Sequence, residues 1–211
     1  MQYVIADEEP HTAMVLTSLL SSQLKVSATN IQAAYDSEQL FESVANLAGD
    51  SAIIVLNIAM PEAFERLTML KAVLRRHDDI RVVMHSTNSN PFLVEDSISA
   101  GALGYVLKRS SLLMLAEAII AARKHRVLID PAIDMASIAE HPWSKLTKQE
   151  RRVLIALCKG VSQEDIASDL ELRYDTISRH KRNAMSRLGI RKDIEVLSYL
   201  YRNGLTYLLD D

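Results

Sequence analysis

The chain has 211 residues, 48% of them hydrophobic, a formal charge of -3 and a single cysteine. That is enough for one large or two small domains, each with its own core, and one cysteine excludes an internal disulfide. No apolar run approaches the roughly 18 residues needed to span a bilayer, and the opening MQYVIADEEP turns acidic where a signal peptide would be basic and then apolar. A cytoplasmic protein with no membrane role is expected, with Cys158 as a small apolar helix residue.

In chain order, the first 130 residues alternate short apolar runs with amphipathic stretches. The runs YVIA (3–6), IQAAY (31–35), AIIVL (52–56), IRVVMH (80–85) and LGYVL (103–107) read as strands. Helical patterns lie near 11–23, 38–48, 64–76, 92–100 and 111–124. Five strands alternating with five helices predict an α/β fold, a doubly wound parallel sheet with helices on both faces, over residues 1–128. Ligands of such sheets gather at the carboxyl ends of the strands, and those ends carry Asp7, Glu8, Asn57, Ser86 and Lys108. Asn57 is the odd member: the buried run IIVL delivers an amide where chemistry would call for a carboxylate.

Residues 129–144, within the stretch LIDPAIDMASIAEHPWSK, have a proline near each end and read as a linker, with Trp143 packed at the domain junction. Residues 145–211 are helical throughout. Thr147 and Glu150 form a capping box ahead of a helix that ends at Gly160, and Ser162 with Asp165 opens a second. A third runs from about Tyr174 to Leu188 and stops at Gly189, a left-handed cap. A fourth spans Asp193 to Arg202 and is closed by Gly204. This segment carries 13 Lys/Arg and 10 Asp/Glu, whereas residues 1–130 carry 11 and 15. A mildly basic all-α unit behind an acidic body points to a nucleic-acid partner.

Two short helices joined by a tight turn and followed by a longer basic helix describe a helix-turn-helix. At roughly 100° per residue, Ile177, Ala184 and Leu188 fall on one line of the third helix and form its buried stripe. Ser178, Arg179, Arg182, Asn183 and Ser186 lie opposite, where Arg reads guanine edges and Ser or Asn reaches bases or phosphates. Thr176 and Lys181 flank them, placed for phosphate. The string LTKQERRVLIALCKGVSQEDIASDLELRYDTISRHKRNAMSRLGI resembles the LuxR-type helix-turn-helix through Thr147, Glu150, Val153, Leu154, Gly160, Ile166, Ala167, Leu170, Thr176, Ile177, His180, Leu188 and Gly189. The resemblance implies that Ser178, Arg179 and Arg182 meet bases. Many members have Lys where this chain has Ser178, which points to a different target sequence. The ending KRNAMSRLGIRKDIEVLSYL is similar to the Rcs capsule-regulator branch.

With that partner domain, the first half resembles the flavodoxin-like receiver of NarL/FixJ response regulators. ADEEP supplies the acidic pair Asp7 and Glu8, LNIAMP the segment after the third strand, HST the hydroxyl Ser86, and GYVLK the switch aromatic Tyr105 with Lys108. The resemblance implies a phosphoacceptor carboxylate at position 57, holding Mg²⁺ together with the acidic pair and the Ala59 carbonyl. Metal, lysine and hydroxyl would stabilise the transferring phosphoryl. Asn57 is a far weaker nucleophile and metal ligand than a carboxylate. Aspartyl phosphorylation is therefore expected to fail, Glu62 lies beyond the strand end and does not substitute, and Asp7 with Glu8 retains weak Mg²⁺ binding at best. Glu8 and Glu9, where relatives often have Asp and His, point to natural divergence of the pocket rather than an engineered block at Asn57 alone, and Lys108 is expected to pair with Asp7 or Glu8. His85, beside the pocket, is expected to be a packed or surface side chain.

The expected protein is a sequence-specific regulator of transcription that binds double-stranded DNA, needs no cofactor, is not an enzyme and acts without phosphate. A homodimer is expected, with an apolar face on DIEVLSYLYRNGL for the contact. The alternatives are an auxiliary or antagonist subunit that heterodimerises with another response regulator, and a pocket that senses a small ligand.

Overall fold

A computed structural model describes residues 1–47, 51–57 and 66–209. The chain forms two compact units, Met1–Asp134 and Met135–Asp211. In the first, strands β1 (Gln2–Ala6), β2 (Ile31–Ala34), β3 (Ala52–Leu56), β4 (Ile80–Ser86), β5 (Gly104–Leu107) and β6 (Leu128–Ile129) build one sheet in the order β2-β1-β3-β4-β5-β6. Every pairing is parallel. Helices α1 (Pro10–Ser22), α2 (Ser37–Ala45), α3 (Arg66–Leu74), α4 (Pro91–Ser99) and α5 (Leu112–Arg123) connect the strands. The first residues of the helix expected at 64–76 lie outside the described residues.

Burial follows position in the sheet. All five residues of central β3 are buried, while edge strand β2 buries only Ala34, so a continuous apolar run marks the middle of a two-sided sheet. One face packs Ile5, Ile53, Val55, Val83 and Val106 against Leu16 and Leu20 of α1 and Leu115 and Ile119 of α5. Helix starts are set by local chemistry. The Asp36 carboxylate accepts from the Gln39 N–H at 2.7 Å, and the Asn90 side chain accepts from Phe92 N–H at 2.9 Å, with Pro91 as the first residue of α4.

The sheet has six strands where five were expected. Leu128 and Ile129 pair with Gly104 and Tyr105 of β5, and two residues are too short to show a period of two. The segment expected to link the domains thus begins as a sheet edge. Asp130 extends the attachment: its N–H donates to the Tyr105 carbonyl at 2.9 Å, and its carboxylate accepts from Leu107 N–H at 3.1 Å and Ala132 N–H at 2.9 Å. Burial by itself would raise this carboxyl's pKa, but hydrogen bonds from Ser110, Ala132 and Leu107, with Arg109 nearby, outweigh it and hold it below the ordinary value. Gly104 opens β5 because a Cβ there would come within 3.1 Å of the Val83 side chain.

The second unit contains α6 (Ser137–Glu140), a 3-10 turn at Pro142–Lys145, α7 (Lys148–Cys158), α8 (Gln163–Asp169), α9 (Tyr174–Leu188) and α10 (Ile194–Arg202). Val153, Ile166, Ala167 and Ile177 form its core, with Leu157, Leu170 and Leu172 around them. Trp143, read from the sequence as a junction residue, instead belongs to this unit's own interior. It is 2% exposed and stacks on Tyr199 of α10 at 6.4 Å between ring centroids. An indole of that size is buried most effectively where an aromatic partner covers it. The capping box of α7 is present. Glu150 is buried and accepts from Thr147 N–H at 2.8 Å and from Arg187 of α9 at 2.5 Å, so one carboxylate both starts α7 and anchors α9 to it. Gly189 ends α9 at φ 69°, a left-handed conformation that costs glycine little.

Candidate functional site

The sheet reverses its winding between β1 and β3, and at that point the carboxyl ends of the two strands lie side by side. Asn57 N–H donates to the Ala6 carbonyl at 2.8 Å, which brings Asp7, Glu8 and Asn57 together. Asp7 is 2% exposed, Asn57 is equally buried, Glu8 is half-buried and Glu9 exposed. The Asn57 Nδ2 donates to Glu8 Oε2 at 2.6 Å. A carboxylate at position 57 has no hydrogen to give and would repel Glu8. The amide thus turns a repulsive neighbour into a hydrogen-bonded one.

Lys108 crosses to this corner from the end of β5. Its ammonium lies 2.8 Å from Asp7 Oδ2, 3.0 Å from Asp7 Oδ1 and 3.4 Å from Glu9 Oε2. Burial alone would lower its pKa, but the hydrogen bond and charge of Asp7, with Glu9 and Glu8 behind them, hold it above the ordinary value. Of the two partners expected for Lys108, Asp7 is taken, and Glu9 is added in place of a direct contact with Glu8. Removing the lysine strands a buried carboxylate. Lys108→Ala is therefore expected to destabilise this unit by roughly 3 kcal/mol, read as a lower midpoint in chemical denaturation. An unchanged midpoint would show that the pair contributes nothing.

Ser86 and Tyr105 are also engaged. Tyr105 is fully buried and its hydroxyl donates to the Asn88 carbonyl at 2.8 Å, while Asn88 N–H donates to Ser86 Oγ at 3.1 Å. Asn88 thus joins the two side chains; no motif marked it in the sequence. His85 is packed at 6% exposure, and its Nδ1 has no hydrogen-bond partner among the described residues. Burial, then the charge of Lys108, push its pKa down to about 4 against the opposing pull of Asp7, so the imidazole is neutral near pH 7.

Mg²⁺ requires carboxylate oxygens with open lone pairs. Here an ammonium faces both oxygens of Asp7, and an amide hydrogen is directed at Glu8. Among the described residues no group of three or more His, Cys, Asp or Glu side chains is arranged to hold a metal. A cation entering here would compete with Lys108 for Asp7 and with the Asn57 amide for Glu8. Ala59 and Glu62, the carbonyl ligand and the considered substitute, lie outside the described residues.

In the helical unit, α9 separates its faces largely as the sequence implies. Ile177 and Ala184 are fully buried, but Met185 completes the stripe and Leu188, in the last turn, is only half-buried. Arg179, Arg182, Asn183 and Ser186 are exposed, and Thr176 and Ser178 are half-buried. Two expected contacts are already engaged within the protein: Lys181 forms an ion pair with Asp193, and Ser178 Oγ donates to Gln163 Oε1 of α8 at 2.9 Å. Arg182 Nε lies 3.3 Å from the Ser178 carbonyl. A groove beside the end of α9 is lined by Arg182, Ser186, Gly189, Ile190 and Arg191. Arg191, which lines this groove, was not singled out in the sequence because it follows the helix and belongs to no period.

Comparison with known proteins matches both units. Residues 3–120 fit the response regulator receiver domain, and residues 144–200 fit the bacterial regulatory proteins of the luxR family. The transcriptional regulatory protein RcsB of Escherichia coli K12 is 25% identical over 207 residues, covering 95% of this chain and 94% of that protein. The transcriptional regulatory protein UhpA of Escherichia coli K12 is 31% identical over 163 residues, 76% of this chain and 80% of UhpA. Among solved structures, RcsB from Salmonella enterica serovar Typhimurium, bound to promoter rprA in the presence of the phosphomimetic BeF3-, superposes with a TM-score of 0.64 at 24% identity, covering 99% of this chain and 98% of that one. A structure of two RcsB dimers bound to two parallel DNAs gives 0.63 at 24% identity, covering 95% and 98%.

Proposed function

The chain belongs to the response regulators that join a receiver domain to a LuxR-type DNA-binding domain, and from that premise we propose that it regulates transcription without aspartyl phosphorylation. It is a DNA-binding regulator rather than an enzyme. The observation that carries the finer reading is the 2.6 Å hydrogen bond from the Asn57 amide to Glu8. That bond puts a neutral donor where the chemistry needs an anionic nucleophile, and it occupies the carboxylate that would hold the metal. With Lys108 on Asp7 and Asn88 joining Ser86 to Tyr105, these pocket groups are engaged from within the protein. Metal and phosphate are not needed to hold it together.

The DNA is bound by a dimer, in keeping with the RcsB dimers on DNA. The apolar face of α10 supports this, with Ile194 81%, Tyr201 78% and Leu197 51% exposed. The same face fits a second response regulator, so the auxiliary-subunit reading shares its support with the homodimer. Among the described residues no helix is long and apolar enough to cross a membrane.

The test is DNA affinity and intact mass, measured on the purified chain with and without acetyl phosphate and Mg²⁺. Identical dissociation constants and an unchanged mass are expected. Gain of a phosphoryl group together with tighter binding would sink the proposal.

A further inference from the structure

Ser178 stands on the exposed side of α9 beside Arg179 and Arg182, yet it is half-buried and hydrogen-bonded to Gln163. A serine hydroxyl has one hydrogen to donate and two lone pairs, and it rotates to suit its partner. Alone in a major groove it accepts from a base amine or donates to a base oxygen about equally well, so it discriminates poorly. Here the rotation is fixed. Ser178 gives its only proton to Gln163 Oε1 at 2.9 Å. Gln163 is the first residue of α8, and that end is held by Ser162, which accepts from Asp165 N–H at 3.1 Å and donates to the Asp165 carboxylate at 2.7 Å.

We propose that Gln163 is a specificity-determining positioning residue: by taking the Ser178 proton it leaves Ser178 presenting lone pairs alone to the DNA. This rests on α9 being the groove-facing helix. In the major groove an obligate acceptor meets the exocyclic amine of adenine (N6) or cytosine (N4) and rejects thymine O4 and guanine O6. Gln163 thereby acts on a base without touching it. The pair makes chemical use of the small residue at position 178, where a longer basic side chain would read acceptors instead.

The experiment is a binding selection from a randomised duplex library with the full chain, using wild type, Gln163→Ala, Gln163→Glu and Ser178→Ala. Wild type is expected to prefer an amine-bearing base at one position per half-site by roughly fivefold, the discrimination of a single hydrogen bond. Gln163→Ala and Ser178→Ala are expected to flatten that position alone. Gln163→Glu still accepts the proton, so it keeps the preference while binding more weakly at low salt. Replacing the selected base by its amine-free analogue, purine for adenine or 2-pyrimidinone for cytosine, is expected to weaken wild type about fivefold and Gln163→Ala hardly at all. Gln163→Ala leaving every preference intact, or amine removal without effect on wild type, would overturn the proposal. Arg182→Ala is the control for the underlying reading: if it shifts preferences while Gln163→Ala does not, only this proposal falls. If neither shifts any preference, α9 does not read the groove and both fall.

Discussion

Asn57→Asp is expected to turn the pocket into a phosphoacceptor: in acetyl phosphate and Mg²⁺ the variant gains the mass of one phosphoryl group, and the unaltered chain gains none. The substitution exchanges the amide that donates to Glu8 at 2.6 Å for a third carboxylate beside Asp7 and Glu8, facing the single ammonium of Lys108. Without metal this is unfavourable. A hydrogen bond to a charged group, worth about 1.5–3 kcal/mol, becomes a like-charge contact, so the variant's receiver unit should melt below that of the unaltered chain. Mg²⁺ reverses the sign. An added unit charge about 4 Å from a cation attracts it by up to roughly 4 kcal/mol per cation charge at an effective dielectric near 20, a gross upper scale.

Two readouts therefore move together. Melting of Asn57→Asp should rise with Mg²⁺, whereas the unaltered chain should not respond to it, and phosphoryl transfer should appear only in the variant. A variant that neither binds Mg²⁺ nor takes phosphoryl would show that drift at Glu8 and Glu9 disables the pocket independently of position 57. A variant stabilised by Mg²⁺ but not phosphorylated would place the remaining defect in Lys108, whose ammonium is shared with Glu9.

What was legible in the sequence follows from what has a period. AIIVL announced a two-sided strand because every residue of β3 is buried, and its polar end marked the site. β6 was invisible, since two residues carry no alternation, and so was the origin of the supposed linker as a sheet edge. The types of the pocket residues could be read, but not how they pair. Lys108 reaches Glu9 rather than Glu8 because Asn57 engages Glu8, a choice made by side-chain directions beyond the strand ends. On α9 the apolar line was visible at Ile177 and Ala184, whereas the pairing of Lys181 with Asp193 joins two helices and leaves no trace in either pattern.

That pairing separates the cations of α9 into two groups and supports a second large effect. Replacing Arg179 and Arg182 together by Ala is expected to weaken operator binding by about 30-fold or more, since each arginine seated on a guanine edge contributes about 1–3 kcal/mol of discrimination. Both side chains are exposed on the face opposite Ile177 and Ala184. Lys181→Ala should behave differently. Its side chain is only 17% exposed and its ammonium serves Asp193, so the change should lower the melting temperature of the helical unit slightly and leave DNA affinity nearly unaltered. Fluorescence anisotropy on operator and scrambled duplexes across a salt series distinguishes the roles. Loss of an arginine that reads bases removes the preference for operator, whereas loss of one that meets phosphate weakens both duplexes alike and lowers the salt slope by about one. Equal weakening on both duplexes would reassign Arg179 and Arg182 to the backbone. Undiminished binding by the double variant would mean that a surface other than α9 holds the DNA, and Arg191, in the groove at the helix end, would be the next residue to replace.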